Sequence, residues 1–252
     1  LTIVGDGNLT INLNSGKYYG IGNSLDNYHG ELNFYQDGGI IINANGMKGV
    51  GIGSGLGGVI NIKRGHYEFD MKGQEGACIG SVNGDSELFI EYCDMDIYSG
   101  ISNGTIIGSV NGDADIKLEN ISAKLQGAGN IITGIGTIAG NSCMVRLENV
   151  NISSNIRAKE CYGIGCRAGR TDIYIGYAAV KSVVQGKSAV AFGNSIMTAK
   201  LYCSNADVGT NAVTEFSSDI GALEKNIQLE NGRAEFILNG QEVKRQILAA
   251  RL

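Results

Sequence analysis

Ile79-Gly80-Ser81-Val82-Asn83-Gly84-Asp85-Ser86-Glu87-Leu88-Phe89-Ile90-Glu91 is answered further along by Ile107-Gly108-Ser109-Val110-Asn111-Gly112-Asp113-Ala114-Asp115-Ile116-Lys117-Leu118-Glu119. Both stretches carry the same anchor, the same Asn-Gly-Asp turn and the same alternation of apolar and polar residues. Outward from this pair, an Ile or Phe followed by Gly, and then usually a small polar residue, recurs. It stands at Ile21-Gly22-Asn23, Ile52-Gly53-Ser54, Ile135-Gly136-Thr137, Ile164-Gly165-Cys166, Phe192-Gly193-Asn194 and Ile220-Gly221-Ala222. The anchor glycines are 31, 27, 28, 28, 29, 28 and 28 residues apart. A step this regular marks stacked units, each burying its apolar face against the next.

Inside each unit the apolar residues alternate. Leu88 and Ile90, Ile116 and Leu118, Ile173 and Ile175, and Leu201 and Cys203 follow their anchors at one offset. Cys93, Met95 and Ile97, then Ile121, Ala123 and Leu125, form a further run. Period-two alternation means strands with one face in and one out. Three short strands per ~28 residues, repeating in kind, suit a coil whose strands stack about 4.8 Å apart into parallel sheets. Seven intervals then span roughly 34 Å.

Composition agrees. The 252 residues include 39 Gly and no Pro. Gly at the anchor permits a tight turn at the same place in every coil, and a missing Pro leaves each amide free to join the ladders. The sequence therefore predicts an all-β, single-stranded parallel β-helix of about eight coils over residues 1–240. For residues 241–252, following Asn239-Gly240, Val243, Ile247 and Leu248 against Lys244, Arg245 and Arg251 predict a short amphipathic helix. It would cap the open end or lead into a further, fused domain.

Leu118-Glu119-Asn120, Leu147-Glu148-Asn149, Ser204-Asn205 and Leu229-Glu230-Asn231 fall at equivalent places. On these residues the chain resembles the right-handed parallel β-helix proteins, the pectate-lyase-like superfamily in its broad sense. The likeness implies the architecture and its handedness, and an asparagine ladder that Tyr92 and Tyr177 interrupt. It also raises polysaccharide lyase or hydrolase activity as a reading. Against that, the sequence has no Asn-Thr-Asp, no Asp-Asp pair and no Gly-His-Gly, and its uniform coils leave no long loops to build a cleft.

A net charge of −5 gives no reason to expect nucleic acid or an anionic membrane as partner of this domain. No apolar run approaches the ~20 residues of a spanning helix, so membrane insertion is not expected. Leu1 opens directly into strand-like sequence, which suggests a segment of a longer chain with its targeting information elsewhere. Cys78, Cys93, Cys143, Cys161, Cys166 and Cys203 mostly replace apolar residues of neighbouring repeats, and are expected as buried free thiols. No cofactor is implied.

Function in a solenoid reads along columns. Glu91, Glu119 and Glu148 form one, with Glu230 further on; stacked carboxylates suit a cation such as Ca²⁺, unless Lys117 and Arg146 neutralise them. Asn83-Gly84-Asp85 and Asn111-Gly112-Asp113 form a second, which reads as turns rather than a Ca²⁺ motif. A third holds Phe89, Lys117, Arg146, Tyr174 and Tyr202 facing outward. Tyr174 and Tyr202 would make a platform for sugar rings or a partner's side chains, with Arg146, Arg167 and Arg170 nearby, unless they simply stack to stabilise the sheet. Gly51-Ile52-Gly53-Ser54-Gly55 is repeat sequence, not a nucleotide loop.

The sequence thus leads to a non-catalytic binding or scaffold module engaging a glycan or protein ligand at a cell surface. The alternatives are a solenoid sensor or interaction arm of a larger intracellular regulator, joined to an effector such as a DNA-binding domain, and a polysaccharide-degrading enzyme.

Overall fold

The computed structural model describes residues 1–195, 197–215 and 227–248, with side chains described through residue 242. The eighth anchor, Ile220-Gly221-Ala222, lies outside the described residues. The remainder is a parallel β-solenoid of about eight coils, as the repeat predicts. Its strands are β1 (Thr2–Gly5), β2 (Leu9–Gly22), β3 (Gly30–Gln36), β4 (Gly39–Ser54), β5 (Gly58–Ile62) and β6 (Gly65–Ser81). Then come β7 (Ser86–Glu91), β8 (Cys93–Ser109), β9 (Ala114–Glu119), β10 (Ser122–Glu148), β11 (Asn151–Gly176) and β12 (Ala179–Gly186). The C-terminal strands are β13 (Ser188–Gly193), β14 (Ala199–Ser204), β15 (Asp207–Thr214), β16 (Ile227–Glu230), β17 (Gly232–Leu238) and β18 (Gln241–Leu248).

Each strand from β1 to β17 pairs in parallel with its counterparts one coil away. The coil from Cys93 to Glu119 shows the plan. Its first segment runs through Cys93, Met95 and Ile97, its second through Ile107-Gly108, and its third is β9. Stacking in register gives three faces, and the inward residues line up along the axis. Ile52, Ile79, Ile107, Ile135, Ile164 and Phe192 form one such column, all fully buried. Ile90, Leu118, Leu147, Ile175 and Cys203 form another. At roughly 1.5–3 kcal/mol per buried aliphatic side chain, these columns are the main source of stability.

The anchor glycines are required twice over. Their φ lies between +131° and +142° at Gly22, Gly53, Gly80, Gly108, Gly136 and Gly165, and at +96° in Gly193. A side chain there would also strike the next coil: a Cβ on Gly108 would stand 1.9 Å from the carbonyl oxygen of Gly136. No larger residue satisfies both the backbone angle and the stacking distance.

The residue after each anchor is more than a turn former. Ser54, Ser81, Ser109, Thr137, Cys166 and Asn194 are all fully buried. Ser109 Oγ donates to the Gly84 carbonyl at 2.7 Å, Thr137 Oγ1 to Gly112 at 2.7 Å, and Asn194 Nδ2 to Gly169 at 2.8 Å. They satisfy turn carbonyls that the coil above and below would otherwise leave dry. The chain then folds back over the outside of the anchor face. Val82, Val110 and Ile138 pack there on Val50 and Ala77, forming a small second core.

At the opposite corner, between the third segment and the next coil, Tyr92, Asn120, Asn149, Tyr177, Asn205 and Asn231 all adopt left-handed φ between +48° and +54°, or +47° for Tyr177. Asn tolerates this region through local hydrogen bonding, which accounts for its recurrence. The amide ladder is short: Asn149 Nδ2 donates to Asn120 Oδ1 at 2.6 Å.

The helix expected over residues 241–252 is corrected: Gln241–Leu248 is strand β18, antiparallel to β17, and residues 249–252 lie outside the described residues. Asn239 (φ +49°) and Gly240 (φ +79°) both take left-handed backbone, the geometry of a two-residue hairpin turn, with Leu238 opposite Gln241. Asn-Gly between two strands is a hairpin signal, and it overrides the apolar spacing that suggests a helix. Among the described residues, no helix is long and apolar enough to cross a membrane.

Candidate functional site

The third face of the solenoid, built from β7, β9, the end of β10, the end of β11, β14 and β16, carries the columns singled out from sequence. Register places Asn61, Phe89, Lys117, Arg146, Tyr174, Tyr202 and Gln228 in one line. Tyr174 and Tyr202 lie one coil apart, with ring centroids 6.4 Å apart and planes tilted by 48°. The Tyr202 hydroxyl donates to Glu230 Oε2 at 2.5 Å, and this acceptor raises the phenol's pKa. Arg146 precedes Tyr174 in the line and is held by Asp115, Nη1 to Oδ1 at 3.0 Å.

Arg170 lies on the same face, two residues before Asp172 and four before Tyr174. Its Nε bonds Asp172 Oδ2 at 2.8 Å. Asp172 is 6% exposed, and its Oδ1 has no partner among the described residues. Arg167 is not part of this assembly. It sits in the turn after the anchor and pairs with Glu160 at 2.8 Å. Arg167 and Arg170 are therefore divided, because the strand between Gly165 and Gly176 turns a corner of the coil between them.

Glu91, Glu119 and Glu148 also stand in register on this face, one per coil. Lys63 bonds Glu91 at 2.7 Å and Lys117 bonds Glu119 at 2.7 Å, and each carboxylate raises the pKa of its lysine. Lys117 thus neutralises its glutamate as expected. Arg146 does not: it reaches back one coil to Asp115, and no ion pair reaches Glu148 among the described residues. The carboxylate of Glu148 instead lies over Gly176, where a Cβ would stand 2.3 Å from Oε2. Among the described residues, no three His, Cys, Asp or Glu side chains converge in a way that could hold a metal ion.

The Asn-Gly-Asp column works as turn structure. Asp85 Oδ1 accepts from the Asp113 amide at 2.8 Å, and Asp113 Oδ1 accepts from the Asn141 and Ser142 amides at 2.7 and 3.0 Å. Each carboxylate clips one coil to the next.

All six cysteines are buried and free. Desolvation raises Cys78, Cys93, Cys161 and Cys203 to about 12 and Cys166 to about 11, and Cys143 well above its usual value. Thiolates, the reactive form, are suppressed throughout. His29 has a half-buried ring: Nδ1 lies 2.9 Å from Ser54 Oγ, Nε2 has no partner among the described residues, and desolvation lowers its pKa to about 4.

Sequence reasoning missed one feature. Tyr92 and Tyr177 read as interruptions of an asparagine ladder; they are 61% and 64% exposed aromatic rings on left-handed backbone. Their alignment with Asn120, Asn149 and Asn205 was the available signal, since a position that favours Asn is a poor one for tyrosine.

The class these features define is a regularly coiled parallel β-solenoid with an aromatic and charged outer face. No family model, curated protein or solved structure matches the chain.

Proposed function

We propose that the protein is a non-catalytic binding or scaffold module, a rigid rod whose third face engages a glycan or a protein at a cell surface. The observation that carries this reading is the in-register pair Tyr174 and Tyr202, continued by Arg146 and flanked by Arg170, on an open strand face. Tyr174 is 43% exposed, so its ring offers area to a partner. Tyrosine offers a large contact area at low entropy cost, and tyrosine and arginine are enriched among the residues that anchor interfaces. Coils of near-constant length build a surface rather than an enclosed cleft, which favours binding over catalysis.

The test is the double variant Tyr174→Ala/Tyr202→Ala. It is expected to lose retention of the ligand while its melting temperature stays within a few degrees of the parent. A fall in stability with retention intact would make the pair structural. A second reading, the interaction arm of an intracellular regulator, draws on the six buried free thiols, since disulfides are the usual staples of secreted repeats.

A further inference from the structure

The left-handed corner near Tyr177 is an open, shallow depression. Asn149, Asn151, Tyr177, Asn205, Asp207 and Asn231 line a shallow groove of about 660 Å³. A second depression, of about 530 Å³, shares Asn151, Ala179 and Asp207 with it and continues onto the first face over β12, β15 and β17. Gly209 lies in the floor of that continuation, between Lys181 and Glu235 of the adjacent coils.

Tyr177 is energetically out of place here. A bulky side chain at φ +47° is disfavoured where Asn is tolerated, and Asn149 and Asn205 occupy the equivalent position in the adjacent coils. Packing does not compensate, because the ring is 64% exposed and its hydroxyl has no hydrogen bond among the described residues. Tyr92 shares this backbone and this exposure (φ +54°, 61%), so what sets Tyr177 apart is that its strained, exposed ring stands in the groove. The amides of Asn151 and Asn231 likewise make no side-chain hydrogen bond among the described residues, and both residues are exposed.

The chemistry of the lining selects the ligand. An aromatic ring offers a π face to the axial C–H groups of a pyranose, and carboxamides offer paired donors and acceptors to its hydroxyls. The charged residues of the two depressions are Asp207, Glu235, Lys181 and Arg233, two of each sign, with Arg233 and Glu235 bonded to each other at 3.1 Å. Such a surface attracts neither a polyanion nor a polycation.

We propose that this corner groove is a binding site for an uncharged oligosaccharide, separate from the third-face tyrosine pair, with Tyr177 as its stacking platform and the flanking asparagines as hydroxyl partners. The probes are hexasaccharides of β-1,4-linked glucose, xylose, mannose and N-acetylglucosamine, with hexagalacturonate as the charged comparator. Binding is read by calorimetry and by tyrosine emission, which no tryptophan obscures.

At least one uncharged hexamer is expected to bind, and hexagalacturonate at least tenfold more weakly. Tyr177→Asn is expected to weaken that binding at least tenfold while raising the melting temperature, because Asn relieves the backbone. Tyr92→Asn relieves the same strain away from the groove and is expected to raise the melting temperature with affinity unchanged. Hexamer affinity lost in Tyr177→Asn and kept in Tyr92→Asn places the sugar at this corner whatever the third-face tyrosines bind, so failure of the third-face reading does not touch this one. The proposal is overturned if no uncharged hexamer binds, if hexagalacturonate binds as well or better, if Tyr177→Asn melts lower, or if it keeps full affinity.

Discussion

At the scale of single residues, the fold depends on positions where one side chain alone fits. Gly108 combines a φ of +133° with a Cβ site 1.9 Å from the Gly136 carbonyl oxygen. Gly108→Ala is expected to cost about 3 kcal/mol or more, since neither backbone can yield without breaking ladder bonds; denaturant unfolding measures it. His29 carries the pH dependence. Its pKa falls from the usual 6.5 to about 4 in the fold, so the unfolded chain binds more protons between those values. Stability from this ring is complete above pH 6.5 and declines as the pH drops toward 4. The ring is partly open to solvent, so the loss is on the order of 1 kcal/mol. His29→Gln, with no group titrating there, is expected to show a shallower fall in melting temperature between pH 6.5 and 5.

At the scale of elements, the problem is the open edge. Parallel coils leave a row of unpaired backbone groups at each end, a template for association. At the C-terminal end β18 turns back through Asn239-Gly240 and pairs along β17, covering the last coil's edge on that face. Removal of residues 239–252 is expected to leave the coils folded by circular dichroism and to produce concentration-dependent association in size-exclusion chromatography. A truncated chain that stays monomeric at tens of micromolar would mean that β18 is dispensable as a cap. The other elements are stapled by small polar columns: the buried Ser-Thr line after the anchors and the Asp85–Asp113–Asn141 chain of side chain to backbone bonds.

At the scale of the whole molecule, regularity itself shapes the functional reading. Each coil contacts chiefly its neighbours, so a feature repeated in register becomes a stripe rather than a point. The third face carries ion pairs through its central coils and the tyrosine pair toward the C-terminal end. The unchanged melting temperature expected for Tyr174→Ala/Tyr202→Ala belongs to this scale: stability resides in the inward columns, and the exposed face contributes little to it.

The repeat was legible because stacking forces identical residues to identical places. A buried Ile, a Gly at positive φ and an alternating strand must recur every coil, so spacing alone gave the solenoid and its columns, including Phe89, Lys117, Arg146, Tyr174 and Tyr202. The Gln241–Leu248 strand was less legible, since apolar spacing over a dozen residues does not separate a helix from a strand, and the Asn-Gly turn decided it. What spacing could not supply is which neighbour a long side chain chooses. Arg146 stands two residues before Glu148 in sequence and pairs with Asp115 one coil away; Arg167 and Arg170, close in sequence, part at a corner of the coil. The sequence by itself determined the period, the core and the register, because those follow from backbone geometry repeated along one axis. Only the tertiary structure decided the ion-pair partners and the groove beside Tyr177, because these depend on how three coils and two faces meet at a corner.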